Sequence, residues 1–360
     1  MKILHFIIGK GNKQRSNGVN QVISGICKYS IKHGIEVRVI GYASNAKQQG
    51  EVEYQDGFKV SVFSYLNKKL IKKLIEDMKW CDCIHMHGIY NLHNIVVSML
   101  ARYMKIQYII TLHNGFAPNL SNLKKKVFDF FIQKKHIEKA SAVHVITLEE
   151  STEILKILKP KKIILAHNGI DLEDFPVNEN GINTKTNKRL KIGYLGRISK
   201  EKNLVNVVKS INELSESGLE IDFHVAGPKT NYLKEVLSLN SSIKYVGPLY
   251  GVDKINFIKT LDLFIHPSKA DVFSISAIEV LALGTPLLIT RTAKASYFYN
   301  SNSFFMCEPS IFGIKKGILQ AIKERENWHS MSKKGKELVK TTLNWDVISK
   351  QLIQGYRETL

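Results

Sequence analysis

Short apolar runs alternate with helix-length amphipathic segments from end to end of the chain, the pattern of repeated βα units around parallel sheets. In the first half the runs predict strands near Lys2 to Ile8, Glu36 to Gly41, Cys83 to Met86, Tyr108 to Leu112, Ala142 to Ile146 and Lys162 to Leu165, with helices between them. After Asp171 the period is lost. Asp174-Phe175-Pro176-Val177-Asn178 opens a polar, turn-rich stretch that continues to Arg189 and marks a boundary. A second series starts at Lys191-Ile192-Gly193-Tyr194-Leu195-Gly196 and continues with runs at Ile221 to Ala226, Ile243 to Val246, Leu261 to Ile265 and Pro286 to Thr290, closing with helices. The expected class is α/β, with two doubly wound Rossmann-like domains facing each other across a cleft and ligands at the carboxyl ends of the strands. The predicted division is a first domain over 1–175, a linker over 176–189, a second domain over 190–342 and a C-terminal helix over 343–360, placed to pack back on the first domain.

Composition agrees with two cores: 360 residues at 44% apolar are enough to bury both. Eight prolines, 23 glycines and no low-complexity tract exclude collagen-like, mucin-like and disordered classes. The apolar start Ile3 to Ile8 is too short for a signal-peptide core, and no run approaches the length needed to span a bilayer, so the expectation is a cytoplasmic protein. Cys27, Cys81, Cys83 and Cys307 are unevenly spaced and read as reduced core thiols.

Charge adds a constraint on partners. The formal net charge is +20, and residues 1–50 hold eight basic residues against the single acid Glu36. A helix predicted from Ser121 to Lys139 mixes Lys124-Lys125-Lys126 and Lys134-Lys135 with Phe128, Phe130, Phe131 and Ile132. It suits an anionic membrane surface; equally, its apolar residues suit packing on a sheet with the lysines solvated.

Candidate chemistry concentrates in the second series. His266-Pro267-Ser268-Lys269-Ala270-Asp271 reads as a strand end and loop, and Val272 to Leu283 as the start and body of a helix stopped by Gly284-Thr285-Pro286. Asp271 and Glu279 bracket backbone N–H groups at Phe273, Ser274 and Ile275, a helix N-terminus suited to an anion. Ser276-Ala277-Ile278-Glu279 also matches a capping box, under which Glu279 only caps a helix starting at Ser276. Upstream, Gly196 permits close backbone approach while Arg197 offers a planar fork and Lys202 a point charge for a diphosphate; a solvated basic turn is the bland alternative.

The order Gly196-Arg197, Lys202-Asn203, Pro267-Ser268, Asp271 to Glu279 and Gly284-Thr285-Pro286 resembles the retaining GT-B glycosyltransferases of family four, which include transferases of bacterial surface-polysaccharide assembly. Asn168-Gly169-Ile170-Asp171, the strand ends His85-Met86-His87-Gly88 and Thr111-Leu112-His113-Asn114-Gly115, and the closing Asn344-Trp345-Asp346 with Tyr356 resemble further family segments, so the likeness spans most of the chain. The resemblance implies that Arg197 and Lys202 hold a donor diphosphate, Glu279 the ribose hydroxyls, and Asp271 and His113 the transferred sugar. Asp271 stands where the family most often has Glu, one methylene longer, and Asn17-Gly18-Val19 where it often has paired glycines; Gly18 either admits a ligand or simply turns the chain into a helix.

From this follows an expected activity: retaining transfer of a sugar from a nucleotide diphosphate sugar, with UDP favoured, to a glycan or lipid-linked acceptor in surface-polysaccharide biosynthesis. No cofactor beyond the donor substrate is expected. The chain contains no Asp-x-Asp, so metal-independent transfer is expected, and His85 and His87 are read as facing opposite sides of their strand, which argues against a metal there. The expected location is cytoplasmic, and the basic first domain would concentrate the enzyme peripherally at the inner face of the cytoplasmic membrane. The alternatives are a sugar-nucleotide epimerase or phosphorylase of the same fold, and a basic nucleic-acid-binding protein. Against the last, zinc-finger spacing, an aromatic RNP-type strand and a basic tail are all missing, so nucleic acid is not an expected partner.

Overall fold

The computed structural model describes residues 1–9, 18–43, 50–53, 57–64, 68–89, 91–113, 132–175, 189–293 and 302–360. Most of the predicted linker and most of the predicted helix over 121–139 lie outside these residues. The chain divides into two compact units, Met1–Gly169 with Trp345–Leu360, and Ile170–Asn344. The first boundary therefore falls at Gly169 rather than at 175, because Ile170 hydrogen-bonds to Leu343 O at 3.1 Å and Phe175 packs in the core of the second unit.

The first unit is built on strands β1 (Lys2–Ile8), β2 (Glu36–Tyr42), β3 (Gly50–Glu53), β4 (Lys59–Phe63), β5 (Cys83–His87), β6 (Gln107–Thr111), β7 (Ala142–Val145) and β8 (Ile163–Leu165). Their order is β3-β4-β2-β1-β5-β6-β7-β8, parallel except where β3 runs against β4. Helices α1 (Gly18–Lys32), α2 (Lys68–Trp80), α3 (Leu92–Tyr103), α4 (Lys134–Glu138) and α5 (Leu148–Leu155) connect them. The central strands are buried on both faces, which is why they read as continuous apolar runs. The pair β3 and β4 was not expected from the sequence, although the alternation Val60, Val62 against Ser61 is a period-two signal. Neighbours β1 and β5 are far apart in the chain, so the order reverses between them and opens a crevice at their carboxyl ends, beyond Ile8 and His87.

The second unit has strands β9 (Leu190–Leu195), β10 (Ile221–Ala226), β11 (Lys244–Gly247), β12 (Leu263–His266), β13 (Leu287–Thr290) and β14 (Phe305–Cys307), all parallel, in the order β11-β10-β9-β12-β13-β14. Its helices are α6 (Leu204–Glu216), α7 (Asn231–Ser238), α8 (Gly251–Lys259), α9 (Ile275–Leu283), α10 (Ile311–Lys323) and α11 (Trp328–Thr342). Here the order reverses between β9 and β12, so the segments after Leu195 and His266 flank the crevice. Helix α9 buries Ala277 through Ala282, because it is apolar almost all round and is covered by neighbours on several sides. It stops at Gly284, whose φ of +78° and a virtual Cβ only 2.3 Å from Ser332 Oγ leave room for glycine alone.

The C-terminal helix α12 (Trp345–Arg357) belongs to the first unit. Gly25 of α1 makes this possible, since a Cβ there would sit 2.1 Å from the Trp345 ring. At the other end of α12, Tyr356 is fully buried against the sheet.

Candidate active site

In the second unit the two loops at the reversal point are fastened to each other. After β9 the backbone passes Gly196, where a Cβ would lie 2.8 Å from Tyr194 Oη, and Tyr194 donates its O–H to Arg197 O at 2.7 Å. The Arg197 side chain itself is exposed. A 3-10 turn over Lys200–Lys202 follows, closed by Asn203 in the left-handed region, whose amide donates to Pro309 O at 2.7 Å. Glu201 O accepts from Lys269 N at 2.8 Å and from Ser268 Oγ at 3.3 Å, so the turn is pinned to the loop after β12.

That fastening brings Lys202 onto Asp271, whose Oδ2 accepts from Lys202 Nζ and, at 3.0 Å, from His266 Nε2. Burial alone would raise the Asp271 pKa; the His266 hydrogen bond and the Lys202 ammonium outweigh it and hold the carboxyl at about 2. Burial keeps the His266 imidazole below its ordinary value, so it is neutral near pH 7 and its Nε2 carries the proton. Its Nδ1 lies 3.3 Å from Ser274 Oγ, which accepts from Ala277 N at 3.1 Å and caps α9. The chain Ala277 N–H, Ser274 O–H, His266 Nε2–H therefore ends on the Asp271 carboxylate and orients it.

Ser274, not Ser276, is the N-cap, with Phe273 just outside and Ile275 first inside the helix. This overturns the capping-box alternative: Glu279 is the fifth helical residue, and its Oε1 accepts from Lys254 Nζ of α8 at 2.7 Å. Burial raises the Glu279 pKa while the Lys254 ammonium opposes it, and that ammonium also lies 5.3 Å from the centre of the Phe175 ring. For a pair this buried, removing one partner costs about 3–5 kcal/mol. His266 and Lys254 were missed at the sequence level. His266 stands next to the Pro-Ser segment and was available to inspection; nothing local marks Lys254.

In the first unit, Gly18 opens α1, and His113 follows β6 with φ of +61°, a backbone state costing about 1–3 kcal/mol outside glycine. Its ring is held at 3.1 Å by His87 Nδ1, and His87 Nε2 in turn lies 2.9 Å from His5 Nδ1. The reading of His85 and His87 as facing opposite ways is corrected here. Two residues apart on a strand lie on one face, and their ring centroids are 4.2 Å apart. In the second unit Lys202 and Asp271 thus meet beside the α9 N-terminus, while Arg197 is exposed on the turn after β9 and Glu279 is paired with Lys254 inside α9; in the first unit Gly18 opens α1 and His113 follows β6.

The segment 178–338 matches the model of the glycosyl transferases group 1, and 16–174 that of glycosyltransferase family 4. The chain belongs to the family-four GT-B glycosyltransferases. A curated relative is the capsular polysaccharide biosynthesis glycosyltransferase CapM of Staphylococcus aureus, 25% identical over 253 residues. That stretch is 65% of this chain and 66% of CapM, just under two thirds of the relative. Among solved structures, sucrose-phosphate synthase from Thermosynechococcus elongatus superposes with a TM-score of 0.80 at 14% identity, covering 99% of both chains. Anabaena HepE in complex with UDP and glucose gives 0.77 at 15%, covering 98% of this chain and 99% of that one. Gly18 and His113 fall within the first matched segment of this glycosyltransferase, and Arg197, Lys202, Asp271 and Glu279 within the second. Among the described residues no helix is long and apolar enough to cross a membrane.

Proposed function

We propose that this glycosyltransferase moves a sugar from a nucleotide diphosphate sugar, a UDP-sugar in the first instance, to a glycan or lipid-linked acceptor of surface-polysaccharide biosynthesis, with retention and without a metal ion. The observation that carries the reading is the Lys202–Asp271–His266 cluster at the N-terminus of α9, with the Glu279 carboxylate one helical stretch behind it. Breaking a sugar–phosphate bond builds negative charge on the leaving diphosphate, and fixed cations and helix dipoles stabilise that charge without reorganising. Lys202, Arg197 and the N–H groups at the start of α9 supply it, which is the task a divalent metal performs elsewhere. Asp271, ionised throughout the physiological range, accepts from a sugar hydroxyl. Glu279 accepts from the ribose hydroxyls, and His113 contacts the sugar.

The acceptor class follows the relatives: CapM is named for capsular polysaccharide biosynthesis, and a Bacillus subtilis relative, 23% identical, for a putative role in teichuronic acid biosynthesis. A peripheral membrane location suits such an acceptor. In the first unit α3 exposes Leu92, Met99 and Tyr103, spaced to share one helix face, with Arg102 beside them.

Thermal shift with UDP, GDP, ADP and CMP tests the donor class: one diphosphate should stabilise the protein and lose that effect in an Arg197→Ala, Lys202→Ala double variant. Transfer that EDTA abolishes and magnesium or manganese restores would defeat metal independence. The anomeric configuration of the product, read by NMR, decides retention.

A further inference from the structure

The proposed reaction uses one histidine of the first unit, yet His5, His85, His87 and His144 are buried beside it on β1, β5 and β7. Two hydrogen-bonded chains organise them. In one, His144 Nε2 meets Ala166 O at 2.9 Å, a carbonyl that can only accept, so His144 Nδ1 takes a proton from Thr111 Oγ1 at 2.7 Å. Thr111 then accepts from His85 Nε2–H at 2.6 Å, and Tyr356 donates its O–H to His85 Nδ1 at 2.6 Å. Both nitrogens of His85 are thereby committed.

The other chain runs His5, His87, His113. His5 is fully buried, and its Nε2 has no hydrogen-bond partner among the described residues. A buried N–H without an acceptor is the rarer and costlier defect, so Nε2 carries the lone pair and Nδ1 the proton. His5 Nδ1–H then donates to His87 Nε2, and His87 Nδ1–H donates to His113 Nε2. Burial lowers the pKa of all three rings, with His5 and His113 at about 3, so each holds one proton near neutrality. The chain ends blind at His5 and conducts no proton onward.

We infer that His5 and His87 are positioning residues that hold His113 as its Nδ1–H tautomer, so that it offers a sugar oxygen a hydrogen-bond donor and not a lone pair. This rests on the His113 contact proposed above. A buried cation is the competing occupant, since ring nitrogens of His5, His85 and His87 lie within 4.8 Å of one another. It would have to displace hydrogen bonds that both nitrogens of His85 and of His87 already make.

Long-range 15N–1H imidazole spectra of the full chain at pH 7.5 read the tautomers directly. His113 should be Nδ1–H in the wild type and in H87N, whose amide keeps a donor near the Nδ1 position, and should shift toward Nε2–H in H87L. Turnover of a UDP-hexose panel, followed as UDP release, should fall about tenfold or more in kcat for H87L with KM little changed, and recover in H87N. Wild-type His113 as the Nε2–H tautomer, or one metal ion per chain by elemental analysis, would overturn the assignment. A tautomer that shifts in H87L with turnover unchanged would uphold the chain and sink the His113–sugar contact instead. Should H87L fail to fold, H5L and H5N make the same comparison from the far end of the chain.

Discussion

Lys202 and Asp271 stand 69 positions apart and share a hydrogen-bonded ion pair in which each is mostly buried. The pair joins the two loops at the point where the second sheet reverses its strand order. On the role proposed for Lys202, a diphosphate would meet a lysine oriented by a carboxylate. Lysine has three N–H donors, so it can turn toward phosphate and keep one bond to Asp271.

Lys202→Ala should consequently abolish the thermal stabilisation by UDP and lower kcat/KM by about 10²- to 10³-fold, the scale for losing a preorganised leaving-group donor. Asp271→Asn should behave differently. It frees Lys202, so nucleotide binding persists while sugar transfer falls. Isothermal titration with UDP separates the two, and equal loss of UDP affinity in both variants would count against separate diphosphate and sugar roles.

His266 makes a second prediction, because it acts on Asp271 through a neutral N–H. His266→Gln retains an amide donor near the Nε2 position and should keep much of the activity. His266→Leu should lower kcat by about 10- to 100-fold with smaller effect on UDP binding, as loss of an orienting outer partner does. Identical kinetics for the two variants would refute the orienting role.

The contrast between what was and was not legible in the sequence follows from chain distance. Arg197, Lys202, Asp271 and Glu279 stand out as candidates because they sit in two contiguous strand–loop–helix segments whose local pattern survives in isolation. The Lys202–Asp271 bond is not, since it depends on loops brought together by β9 and β12 pairing. Register between strands is equally silent: that His5 aligns with His85 across β1 and β5 follows from the pairing of those strands, not from either segment. His85 and His87 were misread for a simpler reason, the strand period of two being applied the wrong way round.

Glu279 supports a prediction about the nucleotide. Its carboxylate is buried with Lys254 as the hydrogen-bonding cation, which suits an acceptor of ribose hydroxyls. The wild type should bind UDP more tightly than 2′,3′-dideoxy-UDP by about 1.5–3 kcal/mol, the worth of hydrogen bonds to a charged group. Glu279→Gln should shrink that difference without removing diphosphate binding. Calorimetric titration of both nucleotides decides it, and an undiminished difference in the variant would move ribose recognition elsewhere.

The histidines set the response of the fold to acid. In the first unit His5 and His113 have pKa values lowered to about 3 and His136 and His144 to about 4, with His85 and His87 also well below their ordinary range, all by burial. In the unfolded chain each titrates near the ordinary value of about 6.5. Between those limits the unfolded state binds more protons, so stability is full above pH 6.5 and falls as pH drops, each ring contributing up to about 1.4 kcal/mol per pH unit. The Asp271 pair follows the same direction in a lower window, from about 4 down to about 2. The second unit has far less of this load, with only His224 and His266 lowered among its described histidines. The first unit should therefore unfold first between pH 6 and 4. Trp80 and Trp345 report on it and Trp328 on the second unit, so single-tryptophan variants followed by fluorescence separate them. A midpoint insensitive to pH from 7 to 5, or earlier loss of the Trp328 signal, would show that the buried rings do not govern acid stability.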